Sequence, residues 1–150
     1  MSAGRTVRGQ TCSESGARPA LAELKRYWSR RKMAELTFNK ISKNHDILAM
    51  IRQLDEQLGV IGYTEHGIRH AKWVGRTAQK VLKALGREKR EAELAGIAGF
   101  MHDIGNLVNR EDHAQAGALL AHELLKDLGM PLDEIMQVMS AIGNHHEEHA

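Results

Sequence analysis

The stretch GIAGFMHDIGNLVNRED, residues 96–112, decides how this chain is read. Its apolar and glycine residues run straight into His102 and Asp103, followed at once by Ile104, Gly105 and Asn106. An imidazole beside a carboxylate at the end of an apolar segment is costly to bury unless something pairs them. Small residues fall on every side of the helix expected over residues 91–104, which predicts a central, closely packed position for it.

Working outward, Ile47, Met50, Ile51, Leu54 and Leu58 recur at helical spacing and stop at Gly59. Thr64 is an expected N-cap for a long helix with the apolar line Ile68, Ala71, Val74, Ala78, Val81, Leu82 and Leu85, closed by Gly86. Downstream, Asp112 is expected to cap a helix that turns Ala116, Leu120, Leu124 and Leu128 inward and ends at Gly129. Pro131 then opens a helix through Ile135, Val138, Met139 and Ile142. No period-two strand pattern competes, so the fold class is all-α, a helical bundle.

Size and composition agree. The chain has 150 residues, enough for one domain with its own core, of which 42% are apolar, 27% charged and 4% aromatic, with two prolines. Cys12 is the single cysteine, which excludes an internal disulfide and a CxxC metal knuckle. The longest apolar run, residues 95–101, is far short of a membrane span, so a cytoplasmic protein with no membrane partner is expected. Charge is uneven. Residues 1–32 carry eight Lys and Arg against Glu14 and Glu23, a sum of +6, leaving −4 for the remaining 118 residues. We expect a disordered basic tail over 1–18, a helical extension and linker over 19–44, and a helical domain over 45–150. Met33 offers a second reading, in which the natural start lies there and residues 1–32 are an upstream extension. The basic arm has no interleaved aromatic platform, so nucleic acid is not the expected partner.

Nine histidines are many for this length, and their phase matters more than their number. His66 and His70 are four apart on one helix face, with Val74 and Ala78 continuing the line. His102 ends the small-residue helix, His113 shares a stripe with Gly117 and Leu120, and His145 and His146 follow Ile142. A single histidine on an apolar stripe is ordinarily a hydrogen-bonded core residue. Several imidazoles and a carboxylate sharing one interior instead need a cation to organise them. Imidazole and carboxylate without thiolate suit Zn, Mn, Fe, Co or Ni. His122 falls on the opposite face, His45 belongs to a helix start beside Asn44, and His149 sits in a polar tail; none of these joins the set.

The ordered pattern His70-Ala-Lys-Trp-Val74, His102-Asp103-Ile-Gly105, His113-x-x-x-Gly117 and His145-His146-Glu147 resembles the HD-domain metal-dependent phosphohydrolases of HDIG type, over about residue 45 to the end of the sequence. The resemblance implies a helical fold with the metal site between helices and one or two divalent ions. It also implies hydrolysis of a phosphate ester, such as a nucleotide or related small phosphorylated metabolite. It makes His70, His102, Asp103, His113, His145 and His146 the metal ligands, with His66 as an extra candidate, and Asp103 the catalytic residue, as ligand, bridge and proton acceptor. Arg110, between the pair and His113, is the first choice for a phosphate contact, whereas Arg69, Lys72 and Arg76 read singly as solvated helix charges. The sequence departs from the family in HDIGN where HDIGK is common and in lacking a GYP segment. It also has no candidate for the usual last aspartate ligand, from which a shortened C-terminus is expected. A second function class stays open, a helical module that binds metal or nucleotide without turnover. A homodimer is also left open.

Overall fold

The computed structural model describes residues 35–63 and 66–145, all within one unit, Met33–Ala150. Among them are six α-helices: α1 (Phe38–Ile41), α2 (His45–Val60), α3 (Ile68–Ala84), α4 (Lys89–Met101), α5 (His113–Asp127) and α6 (Leu132–Gly143). A 3-10 turn, Ile104–Leu107, follows α4. The described residues contain no strand. No helix among them is long and apolar enough to cross a membrane.

Local chemistry sets where the helices begin. Asn44 caps α2, its side-chain oxygen accepting the Asp46 and Ile47 N–H groups at 3.0 Å. The central helix starts earlier than the apolar pattern predicts. Glu88 and Glu91 form a reciprocal capping box, which places the start at Lys89. It also ends earlier, at Met101, and Ile104 belongs to the 3-10 turn instead. The expected Thr64 cap lies outside the described residues, and α3 begins behind Gly67, which makes no side-chain cap bond. Instead Asp55, on α2, accepts the His66 N–H at 3.0 Å and lies against Gly67. Gly86 and Gly129 follow α3 and α5 at φ +71° and +85°, the left-handed stops expected there. Pro131 stands at the N-cap of α6, as its position in the sequence predicts.

α4 is the hub. It buries Ala92, Leu94, Gly96, Ile97, Ala98, Phe100 and Met101, so it is covered on most of its circumference. α3 lies along one side of it and α6 along another, while α5 packs on α6 and on the 3-10 turn. The approach of α3 requires glycine: a Cβ at Gly99 would stand 3.2 Å from the Gly75 Cα. α2 contributes Ile47, Ile51, Leu54 and Leu58 to the core, and α6 contributes Ile135, Val138 and Ile142. In α5 the buried line is Ala114, Ala118, Ala121 and Leu125, so the expected line is displaced: Leu120 and Leu124 are half-buried and Leu128 is exposed.

Two polar clamps hold the hub. Arg90 grips Glu134 on α6 through Nε and Nη2 and donates from Nη1 to the Leu36 carbonyl at 2.9 Å. Glu93 accepts the Phe38 N–H at 2.7 Å and the Gln79 amide at 3.0 Å, joining α1 and α3 to α4.

Candidate metal centre

Four helix ends converge on Asp103. His70 stands in the first turn of α3, His102 directly follows α4, His113 opens α5, and His145 lies just beyond α6. Asp103 precedes the 3-10 turn, with its side chain 12% exposed. One carboxylate oxygen, Oδ2, lies 3.0 Å from His102 Nε2 and 3.6 Å from His70 Nε2. The other, Oδ1, lies 3.7 Å from His113 Nε2. Two trios result, His70–His102–Asp103 and Asp103–His113–His145, each with donor atoms within 4.8 Å of one another. The His145 ring lies 5.1 Å, centre to centre, from both the His102 and His113 rings, closing the set.

The hydrogen bonds fix which ring nitrogen faces inward. His102 Nδ1 lies 2.9 Å from the Gly99 carbonyl, His113 Nδ1 2.8 Å from that of Arg110, and His145 Nδ1 2.6 Å from that of Ile142. A carbonyl only accepts, so each Nδ1 carries the proton and each neutral ring keeps its lone pair on Nε2. In all three the anchor is the carbonyl three residues back. Lone pairs on Nε2 of His102 and His113 therefore face a carboxylate. Asp103 Oδ2 is itself buried without a hydrogen bond. Inward lone pairs around a buried anion repel one another unless a cation lies among them, and this donor set fits a divalent ion.

Without metal, protons have to serve. Burial opposes charge on both partners, yet the neighbouring His102 holds Asp103 down at about 2, and Asp103 together with the Gly99 carbonyl holds His102 above its ordinary value of 6.5. In metal-stripped protein the Asp103 contribution to stability is present above its unfolded pKa of about 3.9 and is lost as pH falls towards 2. The His102 contribution is complete below 6.5 and is lost as pH rises through the raised folded value. Thermal midpoints of chelator-treated protein should therefore be highest between these limits and decline on the alkaline side, a decline that Asp103→Asn flattens. Midpoints rising steadily from pH 6 to 9 would contradict the pairing.

Glycine lets α5 reach the site. A Cβ on Gly105 would overlap the His113 carbonyl and the Gly117 amide nitrogen, and one on Gly117 would stand 3.3 Å from Gly105 N and from the His102 carbonyl. The backbones of the 3-10 turn and α5 touch there, which delivers His113 to Asp103. Behind the carboxylate, buried Asn106 donates to the Asp103 carbonyl at 2.9 Å and to Oδ1 at 3.3 Å. Arg110 donates to Asn106 Oδ1 at 2.8 Å and lies 4.6 Å above the Tyr63 ring.

Most of the expected ligands thus meet: His70, His102, Asp103, His113 and His145 are brought together. His66 lies beside them, its ring 5.8 Å from that of His70, but outside both trios. His146 and His149 lie outside the described residues. His122 pairs with Glu123 at 2.9 Å, and His45 is 91% exposed, so neither enters the centre. Arg110 is anchored to Asn106. The sequence reading passed over Asn106 as a support, as well as Asp55 and Tyr63. The spacing of Asn106, three after Asp103, was the available signal for the first.

Comparison with known proteins agrees with this geometry. The family model described as HD domain matches residues 67–150, a span containing every member of both trios. An uncharacterized protein of Methanocaldococcus jannaschii is 26% identical over 109 residues, covering 63% of this chain and 42% of that relative. The chain therefore spans less than half of that relative's length. No solved structure matches the chain.

Proposed function

The chain belongs to the HD domain family, and on that premise we propose that it is a metal-dependent phosphohydrolase acting on a small phosphate ester, with a nucleotide or related phosphorylated metabolite as substrate. The observation that carries this reading is the convergence of Nε2 atoms from separate helices on one buried, ionised carboxylate. We assign one divalent ion to His70, His102 and Asp103, and a second to Asp103, His113 and His145, with Asp103 shared between them. Fe, Mn, Zn, Co and Ni suit these donors. When bound, such ions supply Lewis acidity toward water and phosphate oxygens, bringing the pKa of a water from about 15.7 towards 7.

The remaining roles belong to the chain. A carboxylate held at about 2 is a poor proton acceptor at neutral pH, so Asp103 would serve as a ligand in both trios rather than as general base. The Nδ1 anchors aim the imidazoles of His102, His113 and His145, and Asn106 orients Asp103. Arg110, bonded to Asn106, is the proposed phosphate contact. In this reading the hydrolase domain takes in residues 45–150 together with α1, whose Phe38 packs on Phe100 and bonds to Glu93.

Metal content by mass spectrometry on gently purified protein, followed by a screen of phosphate monoesters and diesters, tests the proposal. One to two equivalents of a transition metal with turnover support it; metal-free protein with no thermal shift on adding these ions overturns it. Bound metal without turnover would leave a binding module. Asn106→Ala is expected to weaken metal affinity by about 10- to 100-fold while the helical content stays unchanged, as titration calorimetry would show. Wild-type affinity in this variant would remove Asn106 from the orienting role.

A further inference from the structure

α3 leads away from the centre carrying a charge pattern that the site does not use. Arg69, Lys72, Arg76, Lys80 and Lys83 recur three or four residues apart, with no acidic residue on the helix. The other described residues carry eight Lys and Arg against fourteen Asp and Glu, a sum of −6, so positive charge is concentrated on this one element. The arrangement is unfavourable in itself. Lys72–Arg76 and Arg76–Lys80 are like-charge pairs at i,i+4, and Arg69 and Lys72 crowd the positive end of the helix dipole. Something negative outside the helix has to offset this for the pattern to be useful.

An aromatic ring stands among these cations. Trp73 is 66% exposed although α3 has a well-buried face at Ala71 and Gly75. It lines a groove of about 350 Å³ with Arg69, Lys72, Arg76, Thr77 and Lys80. Trp73 is the single apolar residue of that lining, and its exposed ring suits a stacked base. Cations a helical turn apart, over a length of about 21 Å from Arg69 to Lys83, meet successive phosphates of a flexible strand.

We propose that this face of α3 binds single-stranded nucleic acid, the phosphates along Lys72, Arg76 and Lys80 and a base on Trp73. The proposal departs from the expectation from the sequence, in which these are solvated charges and nucleic acid is not the expected partner. The proposal is independent of the hydrolase reading, because none of these three cations belongs to either trio.

The test is fluorescence anisotropy of a labelled thymidine strand of about a dozen nucleotides with chelator-treated, full-length protein over about 50 to 200 mM salt. Binding is expected, with an affinity that falls as salt rises. The triple variant Lys72→Glu, Arg76→Glu, Lys80→Glu should lose more than about tenfold in affinity and flatten the salt slope by about 2. Trp73→Ala should lose about tenfold with the slope unchanged. Circular dichroism checks folding, and Arg76→Gln with Lys80→Gln serves if the triple variant does not fold. Equal binding by the charge variant would assign the strand to the basic residues before Met33 and overturn the proposal. So would binding to anionic vesicles with none to the strand.

Discussion

Asp103→Ala is expected to empty the centre of metal and to lower phosphohydrolase turnover by about three orders of magnitude or more. The size follows from position: Asp103 is the one residue in both trios, so its loss removes a ligand from each ion at once. Removing His70 or His113 takes a ligand from one trio only and should cost less. Metal analysis beside kcat measurements, wild type against variant, decides the matter. Full metal occupancy in Asp103→Ala would mean that the ion, if bound, lies elsewhere. Full turnover without metal would end the metal-dependent reading altogether.

Gly105→Ala should be the most disruptive alanine substitution among the described glycines. The added methyl group would occupy the place of the His113 carbonyl and the Gly117 amide, both backbone atoms that no side-chain rotation can move. Relief requires the 3-10 turn and α5 to separate. We expect a loss of about 3 kcal/mol or more, a fall in Tm of about 10 °C, and loss of the ion held through His113. Gly117→Ala meets its nearest neighbours at 3.3 Å and should be milder. A Tm within about 2 °C of wild type for Gly105→Ala, measured by calorimetry, would show that the two backbones separate freely.

The all-α class and the order of the ligands were legible because both depend on short-range spacing. His70, His102, Asp103 and His113 each sit at a recognisable phase of an apolar stripe, and HDIG fixes the turn after α4. What the spacing could not disclose was long-range. The inward line of α5 shifts to Ala114, Ala118 and Ala121 because of how near α6 and the 3-10 turn approach, which no single helix records. Val81 and Leu85, assigned to the core by periodicity, are 50% and 69% exposed, a long-range outcome that spacing along one helix does not record. The Glu88 cap was missed because glutamate is an uncommon N-cap and only its reciprocal bond with Glu91 identifies it. Arg110 reads from the sequence as a phosphate contact, and only the fold brings Asn106 and Tyr63 to it.

The distribution of the ligands along the chain has a consequence in polymer terms. His70 and His102 are 32 residues apart, as are His113 and His145, and Asp103 belongs to both closures. An ion in each trio is therefore a reversible cross-link, restricting the unfolded chain as a disulfide would, in a sequence whose single cysteine can form none within the chain. Cross-links of this kind open to a chelator instead of a reductant. Metal supply would thereby set how tightly the four helix ends are tied, and the ions that would act on phosphate would also be the ions that staple the bundle.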